Sequence, residues 1–169
     1  MKKILFHSLT IPPDKVSTGM LVAEIASGFN DRGVDVEILA STPQYNFDSN
    51  IDNKVELKKI SKTIFESSYK DVRVVHISSK KRSYSDSKRI FQWFKFHYHS
   101  IKYLFKHRKE YSHIFLFSYP PTMNIIAIFI SKFLKIKLIY SYWELYPEIA
   151  EKINRIKNKL FLSLFKSID

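Results

Sequence analysis

The amino-acid sequence predicts an α/β protein, an open parallel sheet covered by helices on both faces. Three observations carry that expectation. Residues 3–40 read as strand, helix, strand; residues 113–140 read the same way; helical periodicity fills the segments between and after these units. Each β-α-β unit implies parallel strands joined by a right-handed crossover.

Residues 3–8 are a short apolar run closed by the turn-prone Ile11-Pro12-Pro13-Asp14, the pattern of a buried strand. Ser17-Thr18-Gly19 can open a helix whose Leu21, Val22, Ile25, Ala26 and Phe29 recur at helical spacing. Asp31-Arg32-Gly33 ends it, with glycine where a left-handed cap is wanted. Val34, Val36, Ile38 and Ala40 then alternate along a second strand at 34–40. Residues 41–68 are less regular, with a candidate strand at 55–60, and a better-defined strand spans 72–77. A long helix is expected over 83–108. The second unit comprises a strand at 113–117, a turn at Tyr119-Pro120-Pro121, a helix over 124–134 and a strand at 136–140. A last helix at about 147–166, opened by Pro147, would carry Ile149, Ile153, Ile156, Leu160 and Leu164 on one stripe.

Composition narrows the function. A chain of 169 residues suits one domain with a core of its own. The 28 Lys and Arg against 16 Asp and Glu leave +12, which favours anionic partners: nucleic acid, phosphorylated small molecules or an acidic membrane surface. Without cysteine there is no disulfide framework, zinc ribbon or thiolate catalyst. Met1-Lys2-Lys3 followed by Ile4-Leu5-Phe6 begins like a signal peptide, but His7 and Pro12-Pro13 interrupt it. The most apolar stretch, 125–143, is broken by Lys132, Lys135 and Lys137, short of the roughly 18 apolar residues that a membrane span needs. The expectation is a soluble protein, or one held to a membrane from one side.

In such sheets ligands bind beyond the carboxyl ends of the strands. Three loops qualify, at 10–19, 118–122 and 141–148. Neither a G-x-G-x-x-G nor a phosphate-loop motif occurs in them. The backbone at Thr18 and Gly19 either holds an anion at a helix N-terminus or simply starts a helix. In the third loop, Trp143 and Tyr146 beside Glu144 and Glu148 suit a sugar, whose C–H faces stack while its hydroxyls donate; packing and helix initiation explain the same residues. The six histidines form no metal-ligand pattern, and no G-x-S-x-G elbow is present. Neither a metal nor a cofactor is expected.

These segments, in this order, resemble the N-terminal domain of family-4, GT-B-type retaining glycosyltransferases, the bacterial group that builds capsule, O-antigen and other polysaccharides and lipid-linked sugars. The opening P-P-x-x-G-G-like loop and the helix ending R-G-H-x-V-x-V are matched by Pro12-Pro13-Asp14, Thr18-Gly19, Glu24-Ile25-Ala26 and the run from Arg32 to Leu39. Thr42-Pro43-Gln44-Tyr45 looks like the family's P-N-Y segment. Ser118-Tyr119-Pro120-Pro121 is similar to its S-P-P, and Glu144-Leu145-Tyr146-Pro147-Glu148 to its D-L-W-P-E. The paired glycines are reduced to Thr18-Gly19, and the usual aspartate is Glu144.

The resemblance implies a Rossmann-like domain, one half of a GT-B fold, moving a sugar from a nucleotide-sugar to a saccharide or lipid-linked acceptor with retention of configuration. It implies Glu144 as the catalytic carboxylate on the acceptor side and Thr18, Gly19, Tyr45, Tyr119, Trp143 and Glu148 as substrate-binding residues. The second domain of the family, which holds most of the nucleotide-sugar, cannot be supplied by residues 1–169. The chain also closes on Phe165-Lys166-Ser167-Ile168-Asp169 without a helix stop signal, so a single acceptor-side domain, inactive alone, is expected.

The helix at 83–108 offers a second reading, a basic binding module without chemistry or a membrane-associated subunit. Ile90, Phe94, Ile101 and Leu104 form the stripe assigned to the core, while Lys88, Arg89, Lys95, Lys102 and Lys106 surround Phe96 and Tyr103 on the opposite face. Lysines around exposed aromatics suit an anionic membrane surface, with Lys95, Phe96, Lys102, Tyr103 and Lys106 in contact. No nucleic-acid motif accompanies them, and nucleic acid is not an expected partner. The expected location is the cytoplasm, peripheral to the inner face of the cell membrane.

Overall fold

A computed structural model describes residues 2–45, 56–118, 120 and 122–143 of the chain. Its strands are β1 (Lys3–His7), β2 (Val36–Ser41), β3 (Lys58–Lys59), β4 (Ile64–Tyr69), β5 (Val72–Ile77), β6 (Tyr111–Phe117) and β7 (Lys137–Ser141). The helices are α1 (Ser17–Asn30), α2 (Asp86–His107) and α3 (Met123–Phe129), the last continuing as a π-helical turn, Ile130–Leu134. The helix expected at 147–166 lies outside the described residues.

All seven strands form one sheet in the order β3-β4-β5-β2-β1-β6-β7. The five from β5 to β7 are parallel, and the chain reverses its direction of travel across the sheet between β1 and β6. This is the Rossmann-like order, which leaves a crevice at that reversal. The fold is α/β, as the sequence predicts.

The sheet is mixed, however, and the difference lies in the irregular region. β4 pairs antiparallel with β5, from Ile64 opposite Ile77 to Tyr69 opposite Val72, and two-residue β3 pairs antiparallel with β4. The β4–β5 turn puts Lys70 and Asp71 at positive φ, 44° and 66°. A two-residue hairpin demands that geometry, but glycine or asparagine normally announces it, and neither is present here. The Lys70 ammonium reaches Glu24 of α1 at 2.8 Å, and Tyr69 donates its hydroxyl to the same carboxylate.

Two apolar cores sandwich the sheet. α1 covers one face, where Val22 and Ala26 meet Phe6, Ile38, Val74 and Phe117. α2 and α3 cover the other, where Leu104, Met123 and Ile126 meet Leu5, Leu39, Ile77 and Leu116. All six β2 residues are buried, as a central parallel strand requires, including Glu37. The Glu37 carboxylate accepts the hydroxyls of Tyr103 and Tyr111 and pairs with Arg73 at 2.7 Å and Lys3 at 3.5 Å. Burial and this carboxylate push both tyrosine hydroxyls well above their ordinary range.

The orientation of α2 corrects the sequence reading. Phe96 and Tyr103, expected on the outer face, are only 2% and 6% exposed, whereas Phe94, expected inside, is half exposed. Phe96 packs 5.4 Å from the His7 ring, and Tyr103 is anchored to Glu37. The buried arc runs through Phe96, His97, Ser100, Tyr103 and Leu104, turned roughly a quarter of a circle from the predicted stripe. Aromatic residues occur all around this helix, so hydropathy alone does not fix its inner face. His97 and Ser100, polar yet buried, mark that face.

Candidate functional site

The loops after β1, β2, β5, β6 and β7 leave the carboxyl edge of the sheet, and short hydrogen bonds join them. In the first loop, Ile11-Pro12-Pro13 leads into Asp14, which is buried. Asp14 Oδ1 accepts the backbone N–H groups of both Gln44 and Tyr45 at 2.8 Å, clamping the β1 loop to the β2 loop. Burial raises its pKa to about 6, against the opposing effect of the two N–H donors. The sequence places Asp14 in the turn and in the Pro12-Pro13-Asp14 match, without a role as a clamp; an acid directly after Pro-Pro in a strand-to-helix loop is the signal for one.

Gly19 is buried in the first turn of α1, and a Cβ there would lie 2.8 Å from the Thr10 carbonyl oxygen. Its small size therefore serves the close approach of the β1 loop to α1. The Thr18 and Thr10 hydroxyls are both buried beside this contact, and neither has a hydrogen-bond partner among the described residues. Tyr45 is buried against the α2–α3 core with the Arg82 guanidinium 4.7 Å over its ring.

On the far side of the crevice, the Ser118 N–H donates to the Ser141 carbonyl, and the Trp143 N–H donates to Ser118 Oγ at 3.0 Å. The Trp143 ring meets Phe117 edge to face at 4.7 Å, so one side of the indole is committed to packing. The structure thus brings Thr18, Gly19, Tyr45 and Trp143 to the same edge of the sheet. Tyr119, Glu144 and Glu148 lie outside the described residues. Of the residues expected at a membrane, Lys95, Lys102 and Lys106 are exposed on α2, while Phe96 and Tyr103 are in the core.

Beneath the crevice lies a buried histidine layer. His7 Nδ1 donates to the Leu39 carbonyl, His76 Nδ1 to the Ser41 carbonyl, and His97 Nε2 shares a 2.6 Å hydrogen bond with Thr122 Oγ1. Burial holds His7 down at about 4 and His97 at about 3, the latter also lowered by neighbouring His7. These rings are neutral structural links. Among the described residues no group of three or more His, Asp or Glu side chains is arranged to hold a metal ion.

No protein-family model matches the chain, and no curated protein matches it. The fold and this edge geometry therefore carry the functional argument. No helix among the described residues is long and apolar enough to cross a membrane.

Proposed function

We propose that the chain is the acceptor-side half of a GT-B-type sugar transferase, moving a glycosyl group from a nucleotide-sugar to a saccharide or lipid-linked acceptor at a membrane surface in polysaccharide assembly. One observation supports this most. Segments that resemble the transferase motifs, Pro12-Pro13, Thr18-Gly19, Gln44-Tyr45 and Ser118, are far apart in sequence and converge on one edge through the Asp14 clamp and the Ser118–Trp143 bond. On this reading Glu144 acts on the acceptor, and Thr18, Gly19, Tyr45, Tyr119, Trp143 and Glu148 border the sugar. A second domain supplies most of the donor contacts.

Amide chemical-shift mapping with short lipid-linked saccharides and a panel of nucleotide-sugars tests the proposal. The expected result is acceptor-induced shifts at Thr18, Gly19 and Trp143, with nucleotide-sugars binding no better than about millimolar. Micromolar donor binding, or shifts confined to the opposite edge of the sheet, overturns it.

The second reading, a membrane-bound module without chemistry, is favoured by the outer face of α2. Phe91, Phe94, Tyr98 and Phe105 are all at least half exposed there. At about 100° per residue they form one seam, with Lys88, Lys95, Lys102 and Lys106 alongside it. Aromatic rings flanked by lysines fit an anionic leaflet. The two readings combine in a transferase whose acceptor is embedded in the bilayer.

A further inference from the structure

A cleft of about 600 Å³ opens at the carboxyl end of β5, between residues 78–83 and the opening turns of α2. Its lining includes Lys80, Lys81, Lys88 and Lys95, serine hydroxyls from both walls, and the ring of Phe91. None of the ion pairs between described side chains involves these four lysines. Lysines on both walls of one cleft give it a positive potential that favours an anion.

The walls are held in place without a ligand. Ser79 N–H donates to Thr42 Oγ1, and the Thr42 hydroxyl donates back to the Ser79 carbonyl. Gln92 of α2 donates to the Lys81 carbonyl and accepts the Ser83 N–H. The loop is thus pinned to β2 on one side and to α2 on the other, so little ordering accompanies binding. Ser85, at the head of α2, makes no side-chain cap, which leaves first-turn N–H groups and the positive end of a 22-residue helix beside the cleft.

The lining chemistry selects the anion. Lysine ammonium groups bind phosphate as point charges, and serine hydroxyls can donate to the remaining oxygens. Several ammonium groups in one cleft exceed what a single monoanion needs. We propose that this cleft binds a diphosphate group. The inference goes beyond the transferase reading and stands without it, because it rests on the cleft alone.

Calorimetry of the full chain with inorganic pyrophosphate tests it. Saturable binding with a dissociation constant of about 1 mM at low salt is expected, weakening as salt rises. Lys80→Ala/Lys81→Ala, both on the exposed loop, should weaken it by about tenfold or more. Lys102→Ala/Lys106→Ala, farther along α2, should leave it unchanged, and thermal melts confirm that both variants are folded. Displacement by pyrophosphate from vesicles containing a prenyl diphosphate would identify a lipid headgroup as the source. Pyrophosphate binding without displacement would identify a soluble diphosphate. Absence of saturable binding up to about 10 mM, or equal losses in the two variants, overturns the proposal.

Discussion

The hydroxyl of Tyr103 donates to the buried carboxylate of Glu37 at 2.9 Å and so ties α2 to the central strand β2. Glu37 keeps a second donor in Tyr111, at 2.5 Å, so Tyr103→Phe removes one bond from a shared acceptor. A cost of about 1–2 kcal/mol is expected. Phe96→Ala should cost about 3–5 kcal/mol, because it empties a packed core position. Urea unfolding of the two variants measures both. Midpoints equal to wild type would place these side chains outside the core.

The Asp14 clamp makes a separable prediction. Asp14→Ala leaves the Gln44 and Tyr45 N–H groups without their acceptor and should cost about 2–4 kcal/mol. Asp14→Asn keeps an oxygen in place and carries no charge to desolvate, so it should cost far less at neutral pH. Thermal melts at pH 7 compare them, and equal losses would show that the charge itself is required.

Acid should loosen the fold between about pH 6.5 and pH 3. His7 and His97 titrate at about 4 and 3 when folded and at 6.5 when unfolded, so the unfolded chain binds protons first as pH falls. Their contribution is present above 6.5 and lost below it. Asp14 acts in the opposite sense: its raised pKa, about 6 against 3.8, adds stability as pH falls through that window. Asp14→Asn should therefore steepen the loss on acidification, and His97→Gln should flatten it. Denaturant midpoints measured across the range give the slopes.

The outer face of α2 predicts which residues carry membrane binding. Replacing Phe91, Phe94 and Phe105 by Ser should reduce sedimentation with anionic vesicles while leaving the melt unchanged, since all three are exposed. Lys102→Glu/Lys106→Glu should reduce it further at low salt than at high salt. Wild-type protein that stays in the supernatant at low salt would make this face an ordinary solvated one.

The sequence made the two β-α-β units legible because each pairs a short apolar run with a helical period and a turn. β5 falls at 72–77 as read, and β1, β2, β6 and β7 fall within two residues of their expected bounds. The β4–β5 hairpin was hidden because Lys70 and Asp71 adopt positive φ without the glycine or asparagine that usually marks it. The α2 face was misread because packing against His7 and Glu37, both distant in sequence, fixes the helix rotation. At the site, Thr18 and Gly19 were legible as the opening of α1. The roles of Asp14 and Ser79 were not, since each depends on a partner about 30 or more residues away.

The short outer strand β3 also affects how copies of the chain meet one another. Sheet edges recruit neighbours through unpaired backbone groups, and proteins blunt them with brevity and charge. Among the described residues the terminal strand is two residues long, and both Lys58 and Lys59 are exposed. A second sheet approaching that side meets two ammonium groups and almost no ladder to extend. With a net charge of +12, this edge opposes sheet-to-sheet aggregation. Growth by strand addition is thereby discouraged at the antiparallel end of the molecule, well away from the crevice between β1 and β6.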